Sequence, residues 1–217
     1  SFIGGQLENE AGAAFELSEE VVKMLRGISE VLGRFKPLLS GNFSPTQRLQ
    51  MMEGLGIAGS EFRWKVYQHG LSLKKIHIKQ EEVSDFLALV LKFIDHSLRA
   101  NRREDHLFHS YNTLHVDSGS AKVNRLYEML EGQVAVLSSG LLSAAEALQL
   151  LDALRKSTLY RQDQHSYILY PDRELPGFLA KNTVSPEDVH AITLAMKLAE
   201  NGRKDLFSRD QIGRAHV

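Results

Sequence analysis

Residues 126–159 read LYEMLEGQVAVLSSGLLSAAEALQLLDALRKSTL, and this stretch decides the fold. Two helices joined by a tight turn are expected here. In the first, Leu126, Met129, Leu130, Val134, Val136 and Leu137 fall on several sides, which marks a buried helix. The second is one-sided. Ala144, Ala147, Leu148, Leu151 and Leu154 share a stripe, while Glu146, Gln149, Asp152 and Lys156 point away. Ser143 followed by Glu146 forms a capping box that marks its start. A buried helix followed by an amphipathic one is the repeating unit of a two-layered helical toroid. The expected fold class is therefore mainly α, a fragment of an α/α toroid.

Working outward, Ser18 to about Lys36 has helical spacing (Val21, Val22, Leu25, Ile28, Val31, Leu32, Phe35), and Pro37 ends it. Ser44-Pro45-Thr46-Gln47 opens a helix with a capping serine, a proline at the first position and a glutamine closing the box. That helix is expected to stop at Gly54 or Gly56, with a further helix over Glu61–Gln68. Leu71–Ile78 alternates as an extended piece, and Glu81 to about Arg99 is again helical. Ser185-Pro186-Glu187-Asp188 opens a last helix running to Asn201-Gly202.

Two long connections flank the central pair, at about 100–123 and 157–184. Both are rich in tyrosine, histidine and arginine. Long loops in a compact domain are usually functional or disordered, and this composition disfavours disorder. The short turn at Ser138–Leu142 makes the two helices antiparallel, so both connections leave from the same end of the pair.

The chain of 217 residues carries a formal charge of −1, which argues against a dedicated nucleic-acid face. Without cysteine it has no disulfide framework or thiolate metal site. No apolar run is long enough to cross a membrane, and a cytoplasmic location is expected. No Walker loop, dinucleotide fingerprint or nucleophile elbow is present. Ile212 to Val217 reads like a translated sequencing adapter, so residues 211–217 are set aside as an artefact of a longer chain. The expected division is a helical part over 1–80, helical hairpins over 81–210, and that tail.

Leu-Glu-Gly-Gln-Val-Ala-Val-Leu-Ser-Ser-Gly (130–140), followed by a capped amphipathic helix, resembles a hairpin of the six-hairpin glycosidase superfamily. It is most similar to large bacterial proteins related to cellobiose phosphorylase. Those open a comparable inner helix with Asn-Gly-Gln, where this chain has Glu131. The segment Asp105, Leu107, His109, Tyr111, Asn112 resembles the Gly-Leu-Tyr-His-Ser-Tyr-Asn loop of such proteins, with His106 in place of glycine. The resemblance spans roughly residues 85–200. It implies glycoside hydrolysis or phosphorolysis of oligosaccharides, with inorganic phosphate as co-substrate in a phosphorylase and otherwise no cofactor or metal. The face bearing the two long loops would bind the sugar.

Glycosyl transfer needs a carboxylic acid at the leaving oxygen. Of Asp105, Asp117, Glu128, Glu131, Asp163 and Asp172, Glu131 and Asp163 are the catalytic candidates. A carboxylate early in a buried helix would have a raised pKa. His109, Tyr111, Asn112, Gln133, Tyr160, Arg161, Tyr167, Tyr170 and Arg173 are the expected substrate contacts. Tyrosine offers an apolar face with a polar handle. Plainer roles compete: a structural hydrogen bond to a loop backbone for Glu131, an ion pair for Asp163 with Arg161, and ring packing for the tyrosines. The three histidines 106, 109 and 115 with Asp117 make a weak metal signature. The expected partners are an oligosaccharide and the rest of a longer chain, with no nucleic acid or membrane. The alternative is a non-catalytic helical module that binds a protein through the same loops.

Overall fold

The computed structural model describes residues 14–202, 208–209 and 215–216. The chain is mainly helical, as expected, and divides into two units, Ser1–Pro171 and Asp172–Val217.

The first unit begins with strand β1 (Ala14–Ser18), which pairs antiparallel with β2 (Lys75–Lys79) in the register Phe15↔Ile78 and Leu17↔Ile76. The alternation in Leu71–Ile78 thus marks a real strand. Helix α1 (Glu19–Phe35) follows directly and ends in a 3-10 turn over Lys36–Ser40 containing Pro37. Helix α3 (Gln80–Ala100) leaves β2 in the same way. Val22 and Leu25 of α1 bury against Ile78, with Phe15, Leu17, Ile76, Val83 and Phe86 around them. This cluster joins segments from both sides of residue 80.

Helix α2 runs from Pro45 to His69, and its capping box at Ser44 and Gln47 forms as expected. It does not stop at Gly54 or Gly56, and 61–68 is its continuation. The glycines serve packing instead. A Cβ at Gly54 would sit 3.0 Å from both methyls of Val31, and one at Gly27 would sit 3.3 Å from the Ala58 Cβ. Their absence lets α1 and α2 approach closely. The actual stop is Gly70, left-handed at φ 70, whose N–H donates to the Val66 carbonyl.

The first long connection contains a hairpin, β3 (Thr113–Val116) and β4 (Ala121–Asn124). Arg48 of α2 anchors it through a 2.7 Å bond from Nη1 to the Ala121 carbonyl. Helix α4 covers Leu130–Ser138, four residues later than Leu126, because the chain is still extended at Met129. Nor is α4 buried all round. Gly132, Gln133 and Val136 face inward, whereas Glu131 and Val134 are exposed. Helix α5 (Ala144–Lys156) has the expected capping box at Ser143 and Glu146. Its buried face is rotated from the expected stripe: Leu150 and Leu154 are inside, while Leu148 and Leu151 are 60% and 47% exposed. A short pair, β5 (Tyr160–Arg161) and β6 (Ser166–Tyr167), follows.

The second unit holds α6 (Phe178–Lys181), α7 (Pro186–Ala191) and α8 (Thr193–Glu200). Ser185 caps α7 as expected, but the single last helix is broken at Ile192, whose backbone is extended. Strand β7 (Thr183–Val184) pairs with β9 (Ala215–His216), which also pairs with β8 (Ser208–Arg209). Of the adapter-like tail, only Ala215 and His216 are among the described residues.

One buried carboxylate ties the first unit together. Glu20, 2% exposed, accepts from the Ser72 backbone at 3.3 Å and hydroxyl at 3.1 Å, and faces Lys65 Nζ at 3.3 Å. Its own backbone N–H is the largest influence, followed by Ser72 and Lys65 against the opposing effect of burial. Together they pull its pKa from 4.5 to about 2. A carboxyl depressed in the fold stabilises above its unfolded pKa, and that stability drains as pH falls toward the folded value. Urea titrations from pH 7 downward should lose stability between 4.5 and about 2. Glu20→Gln should be less stable at pH 7 and give a flatter profile across that window.

Candidate functional site

The two long connections do meet at one end of the α4–α5 pair. The first is clamped to α4 by Gln133, which is fully buried. Its Oε1 accepts from the Phe108 N–H at 2.8 Å, and its Nε2 donates to the carbonyls of Phe108 at 2.8 Å and Met129 at 3.0 Å. Beside it, Gly132 makes room for Ser110: a Cβ there would lie 2.5 Å from the serine Oγ. Leu107 then packs on Leu154 and Leu159, and Phe108 on Val136 and Leu150. The second connection docks through the Leu169 carbonyl, which accepts from the Leu130 N–H at 3.0 Å in the first turn of α4. Arg103 and Thr158 share Glu128, one on each oxygen, at 3.1 and 3.0 Å.

At this junction the structure gathers three of the expected residues. Glu131, exposed in the first turn of α4, lies close enough to the Tyr111 phenol to act on it electrostatically, and the Tyr170 phenol acts on the same group. The negative charge of Glu131 disfavours phenolate and raises the Tyr111 pKa above 10.0, with burial and Tyr170 adding to it. Tyr111 is left-handed at φ 43 and 63% exposed. This arrangement pairs a carboxyl with a phenol that stays a proton donor, flanked by a second exposed ring.

The remaining residues are placed apart from it or are otherwise engaged. Gln133 has both amide protons and its oxygen spent on backbone. His109 holds the Leu126 carbonyl through Nδ1 at 3.0 Å, and Asn112 donates to Asn101 Oδ1 at 2.6 Å. Asp163 sits in the β5–β6 turn in a two-pronged pair with Arg161, both bonds 3.0 Å. Arg161 lowers its pKa most, against the cost of burial, so at neutral pH it has no proton to give. Tyr160 and Tyr167 pack with their rings tilted, centroids 5.2 Å apart, with the Arg155 guanidinium 4.9 Å over the Tyr160 ring and His165 at its hydroxyl. Arg173 and Asp172 belong to the second unit.

Sequence reasoning missed Arg103. It forks onto Asp105 (3.0 and 2.8 Å) while reaching Glu128, and so ties the first connection to the segment just before α4. Arg102 likewise reaches Glu146 and Gln149. Glu146 is held at about pKa 2, chiefly by the Ser143 backbone N–H, then by the Ser143 hydroxyl and Arg99. Among the described residues, no group of three or more histidines and carboxylates is placed to hold a metal ion. No described helix is long and apolar enough to cross a membrane. Neither models of known protein families nor curated proteins match this chain.

Two outcomes follow. Gln133→Ala strands the Phe108 N–H and carbonyl in the core and should cost about 3 kcal/mol in urea unfolding. Glu131→Gln should return the Tyr111 phenol toward 10.0, read as a lower-pH rise in tyrosinate absorbance, because the charge that opposes ionisation is gone.

Proposed function

We propose that this chain is part of a carbohydrate-active enzyme on an α/α toroid scaffold, cleaving oligosaccharides by hydrolysis or phosphorolysis. One observation carries the reading. Glu131, Tyr111 and Tyr170 come from three segments to the first turn of α4, at the end of the helix pair where both ring-rich connections meet. Glycosyl transfer needs a carboxylic acid at the leaving oxygen and apolar faces for the sugar ring. In this proposal Glu131 is the carboxyl group that serves that oxygen, and Tyr111, which keeps its proton, orients it. Tyr170, and the tilted Tyr160–Tyr167 pair on the side away from Arg155, offer sugar-binding faces. His109, Asn112 and Arg161 are the polar contacts, and phosphate is the attacking group in a phosphorylase. Gln133 shapes the site from behind. His106 supports the family resemblance: at φ 68 it adopts the conformation that a glycine takes freely, and glycine is what the similar loops carry there.

A second reading, a protein-interaction module, draws on a different feature. Leu148, Leu151 and Val134 stand 60%, 47% and 51% exposed on α5 and α4. Further helices of a longer chain would cover the same stripe in a toroid.

The test is incubation of the full chain with an oligosaccharide panel, with and without phosphate, following free sugar and sugar phosphate. Turnover that falls about 10²–10⁴-fold in Glu131→Gln supports the assignment. Sugar phosphate formed only with phosphate makes the protein a phosphorylase, and release without phosphate makes it a hydrolase. Absence of both turnover and any sugar-induced thermal shift favours the interaction module.

A further inference from the structure

The largest of the described cavities lies elsewhere in the first unit. It is a cleft of about 980 Å³ bounded by the first turns of α2, the C-terminal half of α3 and strand β4. Its charge is one-sided. Arg48, Lys122 and Arg125 line it with His96, and no aspartate or glutamate does. The chain as a whole carries a charge of −1, so this excess is local.

The partners of these groups are mostly backbone. Arg48 donates to the carbonyls of Ala121 and Phe43 at 2.7 and 3.2 Å, and Arg125 to that of Ala100 at 2.9 Å. His96 Nε2 meets the Gly41 carbonyl at 2.7 Å. Carbonyl oxygens orient a cation without cancelling its charge. Among the described residues only Lys122 has a carboxylate close by, Asp117 at 3.9 Å, and that long, solvent-exposed pair neutralises it weakly. The cations are therefore preorganised and under-neutralised, which draws an anion.

The rest of the lining describes the body attached to that anion. Asn101, Asn112 and Asn124 supply amides that both donate and accept, which suits hydroxyl groups. The Phe43 ring, held edge-on to His96 at 5.2 Å, supplies an apolar wall. The volume is in the range of sites for small organic ligands and larger than a lone inorganic ion needs. Three cationic side chains, one from α2, one from β4 and one just after it, suit a dianion better than a single carboxylate.

We infer that this cleft binds the phosphate monoester of a sugar-sized polyol, its phosphate held by Lys122, Arg125 and Arg48. The inference stands on the cation cluster and does not need the glycan-cleaving reading, with which it shares only Asn112.

The experiment is calorimetric titration of the full chain with glucose 6-phosphate at low salt, with glucose and inorganic phosphate as separate arms. Glucose 6-phosphate should bind, more tightly than inorganic phosphate, while glucose should not. Added salt should weaken the binding. Lys122→Gln and Arg125→Gln should each weaken it about tenfold, and Lys23→Gln, far from the lining, should leave it unchanged. Arg48→Gln is avoided because Arg48 anchors the β3–β4 hairpin. If Arg125→Gln fails to fold, Lys122→Gln carries the test, since its side chain is 59% exposed. Three results would each overturn the anion site: no heat with glucose 6-phosphate up to millimolar concentration, equal binding of glucose, or undiminished binding by a natively folded Lys122→Gln. Inorganic phosphate binding as tightly as the ester would overturn the sugar-sized ligand.

Discussion

The Gln133 amide is the contact on which the rest of this end of the molecule depends. The connection after α3 must cross the core to put Leu107 and Phe108 inside, both 2% exposed. A buried backbone needs partners, and over this segment the ladder is a single bridge, Arg102↔Phe108. Gln133 supplies what a neighbouring strand would, accepting from and donating to the same residue. A second proton goes to Met129, which fixes the helix start against the loop. Asparagine is one methylene too short for that reach. A glutamate would lack the donor that the Phe108 and Met129 carbonyls require.

That clamp explains why some of the architecture was legible in the sequence and some was not. Capping boxes at Ser44 and Ser143 are local, so their chemistry is complete within four residues and visible in one chain. The partner of Gln133 lies 25 residues upstream, and nothing local says so. The same limit misled the reading of α5. Leu148, Leu150, Leu151 and Leu154 supply two overlapping stripes, and only the outside partners, Phe108, Val136, Leu107 and Leu159, select the one that contains Leu150. Gly54 was misread because a glycine in a helix signals either an end or a close approach, and the neighbour that decides, Val31, is on another helix. The candidate site has the same character. Each tyrosine was visible in the sequence, but the convergence of Tyr111 and Tyr170 on Glu131 comes from docking two loops.

The docked loops hold backbone conformations that ordinary residues resist. Left-handed non-glycine residues among those described are His106, Tyr111 and His165, and all three lie in the two long connections. Such residues cost on the order of 1 kcal/mol or more each, so they persist where neighbouring bonds over-determine the path. At Tyr111 the restraints are the Gln133 bonds to Phe108 and the close seat of Ser110 on Gly132 on one side, and the Asn112–Asn101 bond on the other.

The two histidines are held by one recurring arrangement. In each connection an arginine forks onto the aspartate two residues later, Arg103 onto Asp105 and Arg161 onto Asp163. In each, a backbone turn closes next, His106 N–H to Arg103 carbonyl at 3.2 Å and His165 N–H to Gln162 carbonyl at 3.4 Å. The left-handed histidine then reverses the chain. An exposed ion pair adds little stability by itself, but here the pair spans the turn and limits the conformations that the loop would otherwise sample. The benefit lies in reduced loop entropy, and it acts on the residues downstream. After His106 these are Phe108, which the Gln133 clamp receives, and Tyr111. After His165 they are Tyr167 and Tyr170. In both connections the aromatic groups of the candidate face thus follow a turn held by a charge pair.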